Sequence, residues 1–182
     1  VLPLSSNKAL LEYTLFSEDL LDRQDYVDEI TAFANQIQTG GYKVIEEEQG
    51  NIPMTCFRFD ISNTENILQI GTAGGWTKPS TGYTFQRINS KTKALVEFLK
   101  LNRPLKQFGQ KNRFWFYDLL FLDVLSKDNA NGHDLFKRLF EKNSPEVIFK
   151  FLDETSNYWQ EFQIMRSFNI SQFVGALFKR FF

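Results

Sequence analysis

The sequence predicts an α+β fold over its first hundred residues, followed by a helical tail. Short apolar runs flank a Ser-Ser-Asn turn at residues 5–7, and another apolar run leads into a glycine-rich loop at 71–75. After Pro104 the apolar residues recur at helical spacing as far as the C-terminal residue. This change of pattern near residues 101–110 predicts two subdomains, a partial sheet region over 1–103 and a helical subdomain over 104–182.

The first subdomain is predicted to contain four strands and two helices. Strands are expected at 1–6 and 8–16, and again at 42–48 and 66–70. An amphipathic helix is expected over 23–38, because its apolar residues recur at helical spacing and a Gly-Gly pair follows it. The second helix, over 81–100, carries an apolar face made of Phe85, Ile88, Leu95, Val96 and Leu99.

The tail is predicted to contain five helices. They are expected over 112–126, over 133–141, from Ser144 onward, over 158–166 and from 171 to 182. Ser144 supplies an N-cap and Pro145 suits the first helical turn, so this start is well specified.

Composition excludes several classes of function. The net charge of −1 provides no basic field for nucleic acid, and a single cysteine excludes an internal disulfide. The most apolar stretch, 114–122, is too short to cross a bilayer and contains Asp118. The 20 Phe residues predict either an aromatic core or a site for a large apolar ligand, and the core is the more common explanation.

The glycine-rich loop is the most informative segment. A predicted strand leads into Gly71-Thr72-Ala73-Gly74-Gly75, and a second turn, Lys78-Pro79-Ser80-Thr81-Gly82, leads into a helix. Glycines let backbone N–H groups approach a ligand, and a helix start attracts negative charge, which suits a flavin pyrimidine ring or a phosphate. The alternative is a plain structural corner. The sequence contains no Gly-x-Gly-x-x-Gly, the motif of dinucleotide-binding folds.

Five segments together resemble the bacterial lycopene β-cyclases. They are 10–17 (LLEYTLFS), 48–54 (EQGNIPM), 71–85 (GTAGGWTKPSTGYTF), 114–118 (FWFYD) and 163–168 (QIMRSF). Their order matches the family, and the first and third are the most specific. The resemblance extends over essentially the whole chain.

The resemblance implies a flavoprotein and its reaction. Such enzymes are FAD proteins related to flavin-dependent hydroxylases, and this chain corresponds to their C-terminal half, without the N-terminal dinucleotide-binding segment. The implied reaction is a redox-neutral isomerisation that closes β-ionone rings on lycopene and needs reduced FAD, maintained by NADPH. The fragment alone is expected neither to retain FAD nor to be active. The implied location is the bacterial cytoplasm, in peripheral contact with a membrane.

Two other classes of function stay open. One is a different flavoprotein of the same superfamily, such as a polyprenyl reductase or an aromatic hydroxylase. The other is a non-enzymatic module that binds apolar ligands or a membrane surface. A protonatable carboxyl group on the substrate side distinguishes a cyclase from a reductase.

Glu12 is the expected catalytic residue. It lies in a predicted strand with apolar residues on both faces, where a carboxyl group loses hydration and its protonated form is favoured. Protonating an alkene requires such a group. The residue pattern alone favours a solvent-exposed strand glutamate, and the resemblance reverses that preference.

The resemblance also implies the other site residues. The cofactor-binding set is Gly71, Thr72, Ala73, Gly74, Gly75, Lys78, Pro79, Ser80, Thr81 and Gly82. The substrate-binding set is Thr14, Phe16, Glu48, Met54 and Tyr83.

Two polar features of the tail have ordinary structural explanations. Asp153-Glu154-Thr155 is expected at a helix end, and His133 at the surface or as a cap. One His and one Cys far apart predict no metal site.

The C-terminal segment 171–182 is predicted to be an amphipathic helix. One helical face carries five apolar residues beside Lys179 and Arg180, namely Phe173, Val174, Leu177, Phe178 and Phe181. That pattern fits a helix at a membrane interface or, slightly better, a helix packed on the core.

Overall fold

The structure is a computed structural model that describes residues 1–37, 40–109 and 112–181, with the backbone alone for Phe181. Its contacts divide the chain into two compact units, Val1–Gly50 and Asn51–Phe182. The predicted subdomain boundary between residues 103 and 104 falls within the second unit and stays a prediction.

The first unit contains a two-stranded ribbon and one helix. Strands β1 (Leu2–Ser5) and β2 (Lys8–Leu10) pair antiparallel, with Leu2 opposite Leu10 and an irregularity between Pro3 and Ser5. Helix α1 spans Arg23–Ile37 and buries Ala34. The predicted helix end at Gln38 lies outside the described residues. The ring of Tyr26 on α1 meets Tyr13 edge to face, at 5.9 Å between ring centroids.

Three predicted strands are wrong in the structure. The strand expected over 8–16 ends at Leu10, and the residues 42–48 and 66–70 form no strand. A strand requires a partner for its backbone groups, and in the described residues β1 and β2 pair only with each other. The backbone near 66–70 uses local partners instead: Thr64 N donates to Ile67 O at 2.9 Å, and Gln69 N donates to Asn63 Oδ1 at 2.8 Å.

The second unit is mostly helical. Its helices are α2 (Phe85–Leu99), α3 (Arg113–Lys127), α4 (Gly132–Lys142), α5 (Pro145–Leu152), α6 (Tyr158–Ser167) and α7 (Ile170–Phe181). The five tail helices are confirmed within one or two residues, except that the predicted end of the last helix at residue 182 lies outside the described residues. Helix α2 begins four residues later than predicted, because the chain still turns through Gly82, whose φ is 70°.

Side-chain caps explain several of the helix starts. Asn112 accepts a hydrogen bond from the N–H of Trp115, and Ser144 accepts one from the N–H of Val147. Asn157 and Gln160 form a reciprocal capping box at α6. The N-cap that the sequence predicts at Ser144 is therefore confirmed.

Two hydrophobic clusters hold the tail helices together. One joins α3, α4 and α7 through Val124, Leu125, Leu135 and Ala176, and the other joins α4, α5 and α6 through Leu139, Ile148 and Ile164. Phe168 packs against both clusters. In the first cluster the ring of Phe121 contacts the rings of Phe136, Phe168 and Phe173. Part of the aromatic surplus therefore lies in the core, as the composition favours.

Helix α7 packs on α3 rather than standing free. Phe173 and Ala176 face the first cluster, and Arg180 forms a bidentate ion pair with Asp123 at 2.7 Å for both bonds. Val174 and Phe178 are exposed. No helix in the described part of the chain is long and apolar enough to span a bilayer.

Candidate functional site

The glycine-rich loop is a tight turn closed by backbone hydrogen bonds. Gly71 has φ 61° and ψ −147°, a short 3-10 turn covers Thr72–Gly74, and Gly75 follows in the left-handed region with φ 68°. Backbone N–H groups of Gly74, Gly75 and Trp76 donate to carbonyls of the same segment at 2.9–3.1 Å. These amides are occupied within the loop, so a ligand would be held by other groups.

The glycines are required for two different reasons. A Cβ added at Gly74 would lie 2.2 Å from the backbone oxygen of Gln69, and one at Gly75 would lie 2.7 Å from the ring of Phe59. These two positions need glycine because of close packing. Beside Gly71 there is open space within 4 Å, so its requirement comes from its positive φ alone.

The second turn brings Met54 against the loop. Gly82 has φ 70°, and a Cβ there would lie 3.3 Å from Ile52 Cγ2 and 3.5 Å from Met54 Sδ. Lys78 N donates to Tyr83 O and Gly82 N donates to Lys78 O, each at 2.9 Å. Lys78 and Tyr83 of the predicted site therefore belong to one hydrogen-bonded turn, and Met54 lies beside it.

The start of α2 presents amide groups without a side-chain cap. Its N-cap is Thr84, whose hydroxyl donates to Gly82 O at 2.7 Å and makes no capping bond. Phe85, the first residue of the helix, is 78% exposed. The first N–H groups of a helix have no intrahelical partner and carry partial positive charge. This helix start can therefore hold an anionic or electron-rich group.

Lys78 is the most buried polar side chain near the loop. It is 1% exposed, and its Nζ lies 2.9 Å from Oδ1 and 3.0 Å from Oδ2 of Asp118 on α3, a residue that is 2% exposed. Ser80 Oγ also donates to Asp118, at 2.5 Å. The side chains of Lys78 and Ser80, both expected to bind the cofactor, are thus directed to a carboxylate of the protein.

A second carboxylate completes the polar network. Glu154 Oε1 lies 3.8 Å from Lys78 Nζ and forms an ion pair with Arg87 on α2. Asn112 Nδ2 donates to Glu154 Oε2 at 2.8 Å. Glu154 follows α5 with φ 61°, a conformation uncommon for a residue other than glycine. Arg87 also donates from Nε to Trp76 O at 3.1 Å, which connects α2 to the loop.

The two carboxylates have opposite pKa shifts. Burial raises the pKa of Asp118, although Lys78 and Ser80 favour its ionised form. Burial also acts to raise the pKa of Glu154, but the positive charges of Arg87 and Lys78 outweigh it and the pKa is lowered. Glu154 is therefore ionised at neutral pH.

A small cleft adjoins this network. Its volume is about 90 Å³, and its lining includes Gly74, Arg87, Lys91, Trp115 and Glu154. This volume is below the roughly 300 Å³ at which ligand pockets usually begin. Lys91 is largely buried, which lowers its pKa, and its ammonium lies 5.9 Å from the ring centroid of Trp76.

The remaining predicted site residues lie in the first unit. Glu12 follows β2 in an irregular segment and is exposed, so the prediction that it lies in a strand covered on both faces is wrong. The ribbon has too few strands to enclose a side chain. Thr14 Oγ1 donates to Glu12 Oε1 at 2.6 Å. Phe16 and Glu48 are also exposed.

Sequence reasoning missed three residues of the polar network. In the sequence, Asp118 is recognised as an interruption of an apolar stretch and as part of the segment 114–118, Glu154 is recognised only as part of a helix end, and Arg87 is not singled out. Asp153 is indeed the C-cap of α5, so the expected helix end is confirmed. The one available signal was Asp118 itself, since a charged residue within an apolar stretch needs a buried partner. His133 is exposed on α4, as expected of a surface residue.

The family comparison agrees with the resemblance. A family model described as lycopene cyclase protein matches residues 1–177. The chain belongs to the lycopene cyclase family. No curated protein and no solved structure matches it.

Proposed function

We propose that the chain belongs to a lycopene β-cyclase, an isomerase of carotenoid biosynthesis that forms β-ionone rings at the ends of lycopene. The observation that carries this proposal is the family match over residues 1–177. Ring closure requires a proton donor, stabilisation of the carbocation that forms, and loss of a proton from that carbocation. The number of atoms and electrons in the substrate does not change.

Glu12 is the proposed proton donor. Its carboxyl group would protonate a terminal double bond of lycopene, which leaves a carbocation. A second double bond of the substrate would attack this carbocation and close the ring, and a ring carbon would then lose a proton. The role rests on the resemblance of the segment 10–17 to the family, and the hydrogen bond from Thr14 Oγ1 fixes only the orientation of the exposed Glu12 carboxyl group. Thr14 and Phe16 would meet the substrate together with Glu12. Glu48, Met54 and Tyr83 complete the proposed substrate set.

The residues of the second unit fit a flavin at the start of α2. Open space beside Gly71 and the uncapped amides after Thr84 suit an electron-rich ring edge. Reduced FAD, when bound, would supply electron density that stabilises positive charge near the substrate. The residues of this chain would orient the flavin from the 71–85 segment, and NADPH would keep it reduced.

FAD binding by this chain alone is not expected. Its sequence lacks the Gly-x-Gly-x-x-Gly motif that holds the pyrophosphate in dinucleotide-binding folds. The purified 182-residue chain should therefore contain no stoichiometric flavin. A yellow protein with one FAD per chain would contradict this part of the proposal.

A membrane contact follows from the substrate, because lycopene dissolves in lipid. Helix α6 has two opposite faces: Glu161, Ile164 and Ser167 are buried, and an aromatic face is exposed. That exposed face consists of the aromatic residues Tyr158, Trp159 and Phe162 together with Met165. Tyr and Trp prefer the boundary between lipid and water, and Arg166 lies over the ring of Phe162. We therefore place the proposed membrane contact on α6.

The function is tested by pigment analysis. A complete enzyme carrying these segments should convert lycopene to β-carotene in a lycopene-producing bacterium, and Glu12→Gln should lower ring formation at least about 100-fold, the low end for general acid catalysis. Glu18→Gln, which replaces another exposed glutamate of the same unit, should leave it unchanged. Near-normal cyclisation by Glu12→Gln would contradict the role of Glu12. Saturated products from the unsubstituted enzyme would instead indicate a reductase.

A further inference from the structure

The buried polar network joins the glycine-rich loop to the helical tail. Lys78 and Ser80 come from the loop, whereas Asp118 comes from α3 and Glu154 from the turn after α5. Arg87, on the first turn of α2, contacts Glu154 and the carbonyl of Trp76. Two carboxylates of the tail thus hold both ends of the turn between residues 76 and 87.

We propose that Asp118 and Glu154 are positioning residues: through Lys78, Ser80 and Arg87 they fix the direction in which the loop presents the first turn of α2. The inference rests on the proposed function, because it assigns that helix start to the flavin. Neither carboxylate touches the ligand in this role.

The backbone shows how the side-chain anchor reaches the helix start. The N–H of Lys78 donates a hydrogen bond to Tyr83 O, and the carbonyl of Lys78 accepts a hydrogen bond from Gly82 N. Fixing the Lys78 side chain therefore fixes Gly82 and Tyr83, and Thr84 then begins α2. The ion pair of Arg87 secures the helix from its other side.

The energetics favour positioning over simple stabilisation. The attraction within a buried ion pair is largely offset by the lost hydration of its charges, and apolar residues of similar volume often stabilise a fold equally well. The buried Asp118 and the partly buried Glu154, with four partners between them, instead specify one geometry, since each hydrogen bond constrains direction. Stability and positioning can therefore be separated by experiment.

The experiment compares Asp118→Asn and Glu154→Gln with a matched control, Asp123→Asn. Asp123 is also an α3 carboxylate in an ion pair, but its partner is Arg180 of α7 and not a residue of the loop. In the 182-residue chain, hydrogen exchange of the backbone N–H groups between residues 76 and 84, Pro79 excepted, should become at least about 10-fold faster in both test variants. The control should leave exchange at 76–84 unchanged even where its thermal midpoint falls.

The second readout is flavin binding by a complete enzyme carrying these residues. The dissociation constant for FAD should rise at least about 10-fold in Asp118→Asn and in Lys78→Met/Asp118→Leu, although the apolar pair recovers thermal stability. If stability falls while loop exchange and FAD affinity stay unchanged, the carboxylates are structural only and the inference fails. The inference also fails if the apolar pair Lys78→Met/Asp118→Leu restores FAD affinity together with stability.

The two proposals fail in different ways. A complete enzyme that binds no FAD in its unsubstituted form would refute the flavin assignment. The exchange measurement would still decide whether the two carboxylates hold the loop.

Discussion

Lys78 of the glycine-rich loop forms a buried ion pair with Asp118 of α3, with its Nζ 2.9 Å from Oδ1. The two residues are 40 positions apart in the sequence. This pair attaches the loop to the helices in a fixed direction, in addition to the packing of the buried Trp76 ring near Phe108. The folding of the tail and the geometry of the loop are therefore coupled.

Replacing Lys78 by Met should be strongly destabilising. The substitution leaves Asp118 buried without its positive partner, and breaking one side of a buried pair costs about 3–5 kcal/mol. Urea denaturation of the 182-residue chain should show a lower midpoint. The double variant Lys78→Met/Asp118→Leu removes both charges and should recover most of the loss. A double variant no more stable than Lys78→Met would mean that the ion pair is not the source of the loss.

The acid stability of the second unit should depend on Glu154. Its pKa is lowered in the folded state, so its ionised form adds stability that is present above the unfolded pKa of about 4.5 and is lost as pH falls through the folded value. Glu154→Gln should lower stability at pH 7 and flatten the decline toward pH 3. Thermal melts between pH 3 and 7 would measure this.

Glu141→Gln is the control for the acid experiment, because Glu141 is an exposed glutamate of α4. The thermal stability of Glu141→Gln should change with pH in the same way as that of the unsubstituted chain. Equal slopes for Glu154→Gln and the unsubstituted chain would show that the ion pairs of Glu154 add nothing to stability.

The loop glycines should differ in their response to alanine. Gly74→Ala brings Cβ within 2.2 Å of the Gln69 backbone oxygen, so the backbone must move and the yield of folded protein should fall sharply. Gly71→Ala meets no atom within 4 Å, so its cost comes only from the strained backbone at φ 61° and ψ −147°, at about 1–3 kcal/mol. Circular dichroism and soluble yield would compare them. If both variants fold equally well, the close packing at Gly74 is wrong.

This difference changes how flavin binding is tested. Substitution at Gly74 would lower folding and cofactor binding together, so loss of flavin there would not identify a contact. Gly71 is the informative position in a complete enzyme, because a small side chain at that site points into open space beside the loop.

Cys56 should be almost unreactive in the folded protein. Burial, followed by the negative charge of Asp118, raises the pKa of its thiol to about 12. At pH 8 the thiolate fraction is then at least about 100-fold lower than in an unfolded chain, and thiolate is the reactive form. A thiol reagent should label native protein at least about 100-fold more slowly than urea-unfolded protein. Comparable rates would show that the environment of Cys56 is open.

Local signals predicted the helical tail well. Ser144-Pro145 and the apolar spacing of the tail act within a few residues, so they can be recognised in a sequence. The strands at 42–48 and 66–70 were predicted wrongly, because a strand depends on a partner that the sequence does not reveal. The same limit applied to the site, where Lys78 and Asp118 meet only through the packing of α3 against the loop.

The membrane contact should depend on α6 rather than α7. Trp159 and Phe162 are exposed on the face of α6 opposite its buried residues, whereas α7 packs on α3 through Phe173 and Ala176. Trp159→Ser/Phe162→Ser should lower binding to anionic liposomes at least about 10-fold, since each side chain loses apolar area that lipid would cover. Its thermal midpoint should stay within a few degrees, because neither residue is buried.

The control is Phe85→Ser, which removes a 78% exposed aromatic side chain from α2 and should leave liposome binding unchanged. Deleting residues 170–182 should instead lower thermal stability and expose apolar surface, because it removes Ala176 and the ion pair of Arg180 with Asp123. Liposome binding should then stay the same or increase. If that deletion releases a still-folded protein from the liposomes while the α6 variant stays bound, the contact belongs to α7 and the assignment to α6 is wrong.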